Sequence, residues 1–272
     1  MDAIVDIEKY YSSSLNEFTT ALEMAIATSH ATTSLQVDDR RFWASILFTR
    51  LCTFSVSILC LCPTGKLNQN CNHWDFGAVA SLSRNVFECA LTFFYLGVDT
   101  IIDEEWMARL RVMQLHDCMS RFRMFRNFDP NDEQLNEFEE QANELRSILQ
   151  ENTFFSNLPD RQRNKLLKGE HASILTQDEI LQRMGEACSG ARGYYRFLSS
   201  HTHSFPLSFY RMAEQGRGAG VENEVEKEYI GGALEYCTNT LKRCTDDMRK
   251  VFADIATFPS NSFYWDALKR AR

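Results

Sequence analysis

The sequence predicts an all-α protein, a bundle of about eight helices, from three observations. Only five Pro and twelve Gly occur among its 272 residues, so few positions interrupt a helix. Apolar residues recur at spacings of three and four along most of the chain, which is the period of a helix rather than of a strand. Hydrophobic residues make up 44% of the chain, enough for a substantial core.

Turn signals divide the chain into successive helical segments. Helices are expected at residues of about 4–29, 38–61, 76–97, 103–127, 133–152, 160–168, 177–200, 207–214 and 222–256, with a short one after 262. Asp38 and Thr176 stand where an N-cap is expected, and Pro63 and Gly65 mark the end of the second helix. We expect a single helical domain over 1–272, in which 129–170 forms a possible insertion or arm.

The second helix contains the most apolar stretch of the chain, at about 44–63. Arg50 lies near its centre, and hydroxyl residues interrupt it at Thr49, Thr53, Ser55 and Ser57. A charge in the middle of the segment favours a buried core helix over a membrane span. We therefore expect no membrane partner.

The third helix has apolar residues around most of its circumference, which predicts a central, buried position. Arg84 and Glu88 are four residues apart within it, so their side chains meet on one face. Buried charges must be paired. The two residues are therefore expected to form an ion pair, either purely structural or part of a binding site.

The outer segments are amphipathic. Basic clusters at 109–111 and 121–126 are typical of solvated helix faces, with an RNA-facing patch as the alternative. The segment at 133–152 has an acidic face and an apolar face, as expected for an outer helical arm. The last helix has the clearest pattern, an apolar stripe running from Val225 to Ile255.

Composition limits the classes of function. A net charge of −8 argues against a protein that grips nucleic acid over a broad surface, because such binding needs many Lys and Arg side chains. The nine Cys are an odd number, and the N-terminal residues lack the pattern of a secretory signal. We therefore expect a cytoplasmic protein with reduced thiols.

Metal and cofactor motifs are weak. Cys60, Cys62, Cys71 and His73 are residue types that bind zinc, but Cys60 and Cys62 are spaced more closely than paired structural ligands usually are. Reduced buried thiols are the favoured interpretation, and we expect neither a metal nor a cofactor. The glycine-rich segment at 216–220 has no strand before it and no Gly-Lys-Ser/Thr after it, which favours a flexible loop over a phosphate loop.

The polar chemistry of the chain is concentrated between Arg192 and His203. On a helical wheel at about 100° per residue, Arg192, Arg196, Ser200 and His203 share one face, while the apolar residues face the opposite side and His201 lies at the margin. An arginine fork matches a phosphate, and a histidine can move a proton near neutral pH. This face is therefore either a phosphate site or an ordinary solvated surface.

Two family resemblances rest on these residues. Arg196 followed by His201 or His203 resembles the Arg-x(4–6)-His signature of the HEPN superfamily, whose members are helical bundles and often metal-independent ribonucleases. The chain also resembles an uncharacterised, mainly bacterial, all-helical family of unknown function. That family has an Arg-x-x-x-Glu helix, here Arg84 and Glu88, and a Leu-Ser-x-x-x-His segment, here Leu198, Ser199 and His203.

The HEPN resemblance implies that Arg196 stabilises a scissile phosphate and that His203 assists proton transfer, often in a cleft shared by two protomers. Arg192, Ser200, His201, Arg84 and Glu88 would contribute to binding. The implied protein is an RNA-cleaving or nucleotide-binding protein of the toxin or defence type, with RNA or a nucleotide and a second copy as partners. HEPN proteins usually have a polar residue after the arginine, where this chain has Phe197. The alternative is a non-catalytic helical module that binds a partner protein or a small anion.

Overall fold

A computed structural model describes residues 6–68, 72–186 and 188–258, except for the side chains at 188–189 and 211–215. The helix expected after 262 lies outside the described residues, as does Cys71.

The described residues form eleven α-helices and no strand, which confirms the all-α prediction. A π-helical turn at Phe94–Val98 continues α3. The helices are α1 (Ile7–Ala31), α2 (Asp39–Leu61), α3 (Phe76–Phe93), α4 (Asp103–Phe128), α5 (Gln134–Glu151), α6 (Thr153–Ser156), α7 (Asp160–Leu167), α8 (Gln177–Arg183), α9 (Cys188–Thr202), α10 (Pro206–Gln215) and α11 (Glu224–Val251).

Helix starts agree with the predicted caps, whereas one predicted helix is broken. The Asp38 side chain accepts a hydrogen bond from the Arg41 amide, and Thr176 forms a reciprocal capping box with Glu179. The continuous helix expected at 177–200 is wrong, because α8 ends at Arg183 and α9 begins at Cys188. Gly185 lies between them at φ +74°, a left-handed conformation that glycine adopts without strain.

The chain divides into two compact units. The first comprises Met1–Val98 and Gly185–Arg272, with α3 packed against α2, α9 and α11 and with α1 along α11. Phe18, Phe48, Val79 and Leu234 are fully buried in its core. The central position predicted for the third helix is therefore correct.

Two local features of this unit are the end of α11 and the close approach of Gly97 to α2. The stripe of the last helix is buried from Ala233 to Met248, but α11 ends at Val251, and Ile255 is 40% exposed beyond it. Gly97 lies so close to α2 that an added Cβ would be 2.7 Å from the Ala44 Cβ. Glycine therefore permits the close approach of these two segments.

Helix α2 is the one described helix that is long and apolar enough to cross a membrane by length and composition alone. Phe48, Leu51 and Ile58 on one side of it are fully buried in the core of the first unit. Phe42 and Ile46 on the other side are 50% and 42% exposed. One side of the helix is thus used in packing within the unit.

The second unit, Asp99–Met184, contains α4 to α8. Its core joins α4 and α5 through Val112, Leu115, Ala142 and Leu149, and the glutamates of α5 face solvent. The segment interpreted from sequence as an arm, 129–170, lies within this unit.

A buried charge cluster lies in the second unit. Arg109 of α4 is fully buried and pairs with Asp99 at 2.7 Å and with Glu105 one helical turn before it. Arg183 of α8 also pairs with Asp99, at 2.9 Å. The expectation that the 109–111 cluster forms a solvated face is therefore wrong for Arg109, because two carboxylates allow its burial.

Candidate functional site

A polar cluster forms where α9 packs against α3. Arg84 and Glu88 lie one turn apart on α3, Tyr195 belongs to α9, and His203 follows directly after α9. The fully buried Leu198 anchors α9 in the core of the first unit. This packing holds Tyr195 and His203 against the Arg84 side chain.

Arg84 is the centre of the cluster. Its Nη2 donates hydrogen bonds of 2.9 Å to Glu88 Oε1 and to Tyr195 Oη, and Tyr195 Oη in turn lies 2.9 Å from Glu88 Oε1. Its Nη1 lies 3.1 Å from His203 Nε2. Because a guanidinium can only donate, His203 Nε2 must be the acceptor and therefore carries no proton.

Charge and exposure favour a reactive surface site. Partial burial lowers the pKa of Arg84, but the hydrogen bond that it donates to Tyr195 and the charge of Glu88 outweigh this effect, so the pKa lies above its ordinary value. The side chains of Arg84 and Glu88 are 18% and 39% exposed, and His203 is exposed. The cluster therefore places a permanent cation against the Nε2 nitrogen of an exposed imidazole.

The other residues predicted on α9 surround this cluster less closely. Arg192 and Arg196 are exposed, and the Ser200 hydroxyl donates to the Arg196 carbonyl at 2.9 Å. Among the described residues, the Arg196 side chain has no hydrogen-bond or ion-pair partner. The structure thus joins His203 to Arg84 and Glu88, whereas the catalytic role of Arg196 stays a prediction.

His201 belongs to a different environment from His203. Its ring packs edge-on against Phe76 and Phe197, with centroids 4.7 and 5.1 Å away. Burial, with a smaller contribution from the charge of Arg217, lowers its pKa from 6.5 to about 4. Its Nε2 is buried and has no hydrogen-bond partner among the described residues. His201 is therefore a neutral residue of the core margin.

The loop at 216–220 is anchored, in contrast to the flexible loop expected from its glycines. Arg217 is 5% exposed, and its guanidinium lies 4.3 Å from the centre of the Tyr229 ring. The Gly218 amide donates to the buried Glu226 carboxylate at 2.8 Å, and the Trp74 amide donates to the Gly220 carbonyl at 3.2 Å. The glycines allow the chain to turn at positive φ between these contacts.

The free energy of unfolding should decrease in acid because His201 is neutral in the folded protein. Native His201 stays neutral down to about pH 4, whereas the unfolded chain binds a proton below about 6.5, so acid favours unfolding between these values. Because the ring is partly exposed, we expect a loss of about 1–2 kcal/mol in the free energy of unfolding. Urea titrations from pH 7 to 4 should show this loss in the wild type and a smaller one in His201→Phe.

The exposed His171 of the other unit offers a control for this measurement. The His171→Phe variant should retain the pH dependence of the wild type. If His201→Phe has the same slope as the wild type, the imidazole of His201 is not the group responsible.

Sequence reasoning missed Tyr195 and Arg217. Tyr195 was detectable, because on the wheel it lies about 80° from His203 and on the opposite flank from Ser200. Arg217 had no local signal, since its burial depends on the aromatic rings of α3 and α11.

The described residues considered as zinc ligands, Cys60, Cys62 and His73, do not form a metal site. Cys60 is exposed while Cys62 is fully buried, and burial raises the pKa of the Cys62 thiol. His73 lies against Gly220, and Cys71 is outside the described residues. No group of three His, Cys, Asp or Glu side chains in the described part of the chain could hold a metal ion.

Comparison with known proteins identifies a family. A protein-family model, described as a family of unknown function (DUF5677), matches residues 41–219, which include all four residues of the polar cluster. No curated protein and no solved structure matches the chain.

Proposed function

The chain belongs to the DUF5677 family of unknown function, and we propose that this member binds RNA or nucleotide phosphates at the Arg84–His203 cluster and cleaves RNA there without a metal ion. The observation that carries the proposal is the 3.1 Å contact between Arg84 Nη1 and His203 Nε2 on an accessible surface. This contact places a fixed cation beside a base that can accept a proton.

The cluster has the groups that phosphodiester cleavage requires. Arg84 offers its Nη1 donors to a phosphate oxygen, while Glu88 and Tyr195 hold Nη2 and fix the orientation of the guanidinium. A bound phosphate would take over Nη1 and release His203 Nε2 for proton transfer. The exposed Arg196, next to Tyr195 in sequence, would supply a second phosphate contact.

The proposed reaction uses the ribose 2′-hydroxyl. His203 Nε2 accepts its proton as the 2′-oxygen attacks phosphorus, and Arg84 stabilises the negative charge that develops on the phosphate. The P–O5′ bond then breaks, which leaves a 2′,3′-cyclic phosphate, and the departing 5′-oxygen takes a proton from solvent. DNA lacks the nucleophile and should be bound but not cut.

The test is incubation of the purified protein with single-stranded RNA in EDTA, with the DNA of the same sequence in parallel. We expect RNA cleavage by the wild type and a loss of about 100-fold or more in His203→Asn, since general base catalysis contributes about 10²–10⁴. The His171→Asn variant removes an exposed imidazole of the other unit and should stay active. Intact RNA at enzyme excess, or DNA cleavage, would contradict the proposed reaction.

A second candidate function is a non-catalytic module that binds another copy of the chain. It is favoured by the exposed apolar side chains that follow His203, namely Phe205, Leu207, Phe209 and Tyr210, which are 45% to 63% exposed. The Phe205 ring lies 5.6 Å from that of His203, so a protomer on this surface would cover the cluster. Light scattering of the wild type and of Phe209→Ser would test it, because a dimer lost in the variant supports this function.

A further inference from the structure

A cavity of about 590 Å³ lies in the Asp99–Met184 unit, between α7 and the segment 168–176 that follows it. Its apolar lining includes Pro159, Ala172 and Leu175, which are exposed or half-buried, and the buried Leu166 and Ile174. Leu166 and Ile174 are 2% and 6% exposed and belong to the core of the unit. The volume falls within the range of about 300–1,000 Å³ that small-molecule sites occupy.

The wall formed by the segment 168–176 is held by its own hydrogen bonds. Gln162 Nε2 donates to the Ile174 carbonyl at 2.7 Å, which ties this segment to α7. The Ser173 hydroxyl donates to the Leu175 carbonyl at 2.6 Å. Two polar side chains of the lining therefore fix the backbone, and the cavity exists without a ligand.

The two charged side chains of the cavity, Arg161 and Lys165, are both cations, and an imidazole lies on the other wall. Arg161 and Lys165 are one turn apart on α7, and His171 belongs to the segment opposite them. All three are exposed, and none has an ion-pair partner among the described residues. No Asp or Glu occurs among the described lining residues, although the chain as a whole has a net charge of −8. The opening is therefore cationic and the interior apolar.

We propose that this cavity binds a small amphipathic anion, a molecule with an apolar body and one carboxylate or phosphate head. The body packs on Pro159, Ala172 and Leu175, and the head pairs with Arg161 and Lys165, which hold their charge at neutral pH. This site belongs to a different unit from the Arg84–His203 cluster and does not depend on RNA cleavage.

Calorimetric titration of the full chain tests the proposal. The probes are decanoate and decyl phosphate below their micelle concentrations, with decanol and acetate as partial ligands. We expect saturable one-to-one binding of at least one of the two anions, about tenfold or more tighter than of decanol or acetate. A preference for decanoate or for decyl phosphate identifies the head group.

Two variants locate the binding. Arg161→Gln/Lys165→Gln should weaken binding of the anion about tenfold or more, whereas Lys9→Gln/Arg126→Gln, with the same change of charge at exposed positions outside the cavity, should not. Ala172→Trp, which fills the cavity without altering charge, should abolish binding, and circular dichroism checks its fold. Equal affinity for decanol, or unchanged binding in the Arg161→Gln/Lys165→Gln variant, would overturn the proposal.

Discussion

Replacing Arg109 with Met is expected to lower the free energy of unfolding of the Asp99–Met184 unit by about 3–5 kcal/mol. The guanidinium is fully buried, and the carboxylates of Asp99 and Glu105 that pair with it are 11% and 12% exposed. Met has an extended side chain without charge, so two nearly buried negative charges would remain close together. Chemical denaturation followed by far-UV circular dichroism measures the loss.

Arg183 provides a matched control, because it contacts the same two carboxylates from an exposed position. Its side chain is 38% exposed, and Arg183→Met should cost about 1 kcal/mol or less. Adding Asp99→Asn and Glu105→Gln to Arg109→Met should recover much of the lost stability, since the two carboxylate charges that lost their buried partner are then removed. Equal costs for the Arg109 and Arg183 variants would show that burial of the charge is not the cause.

The helical period predicted most of the fold because burial of an apolar face is a local property of each helix. It failed where long-range contacts or a single backbone conformation decide the structure. Arg109 reads as a surface residue in sequence, and its burial depends on Asp99 and Glu105. Gly185 ends a segment whose side-chain pattern continues through it, since the glycine can adopt φ +74°.

In the candidate site, too, sequence predicted the local contact but not the long-range one. The pairing of Arg84 with Glu88 was predictable from their spacing, because residues four apart on a helix are neighbours. The contact between Arg84 and His203 joins positions 119 residues apart and depends on how α9 packs against α3. The wheel placed Arg196 and His203 on one face, but it could not show that the arginine of another helix lies nearer to the imidazole.

Glu88 and Tyr195 hold the Arg84 guanidinium in place, which matters for its proposed role. Its Nη2 is occupied by Glu88 and Tyr195, and its Nη1 contacts the exchangeable partner His203. A guanidinium fixed in this way loses little side-chain entropy when it binds a phosphate. The cluster is therefore arranged to bind through the Nη1 side of the fork.

Replacing Arg84 with Gln is expected to reduce RNA cleavage by about 10²–10³ at unchanged fold. The variant removes the donor proposed to stabilise the developing charge, while the Tyr195 and Glu88 side chains can still bond to each other. Because Glu88 is 39% exposed, loss of its ion pair should cost about 1 kcal/mol or less in stability. Single-turnover cleavage of RNA measures the rate, and thermal unfolding checks the fold.

Comparison with Arg196→Gln separates the two arginines. If Arg84 is the principal phosphate-binding side chain, Arg196→Gln should reduce cleavage by about tenfold, the effect of losing one exposed phosphate contact. If Arg196 alone has the catalytic role predicted from sequence, the order of the two effects is reversed. The double variant Arg84→Gln/His203→Asn should be little worse than either single variant, because residues that act as one unit have non-additive effects. Independent, multiplicative losses would show that the 3.1 Å contact between Arg84 and His203 has no part in the reaction.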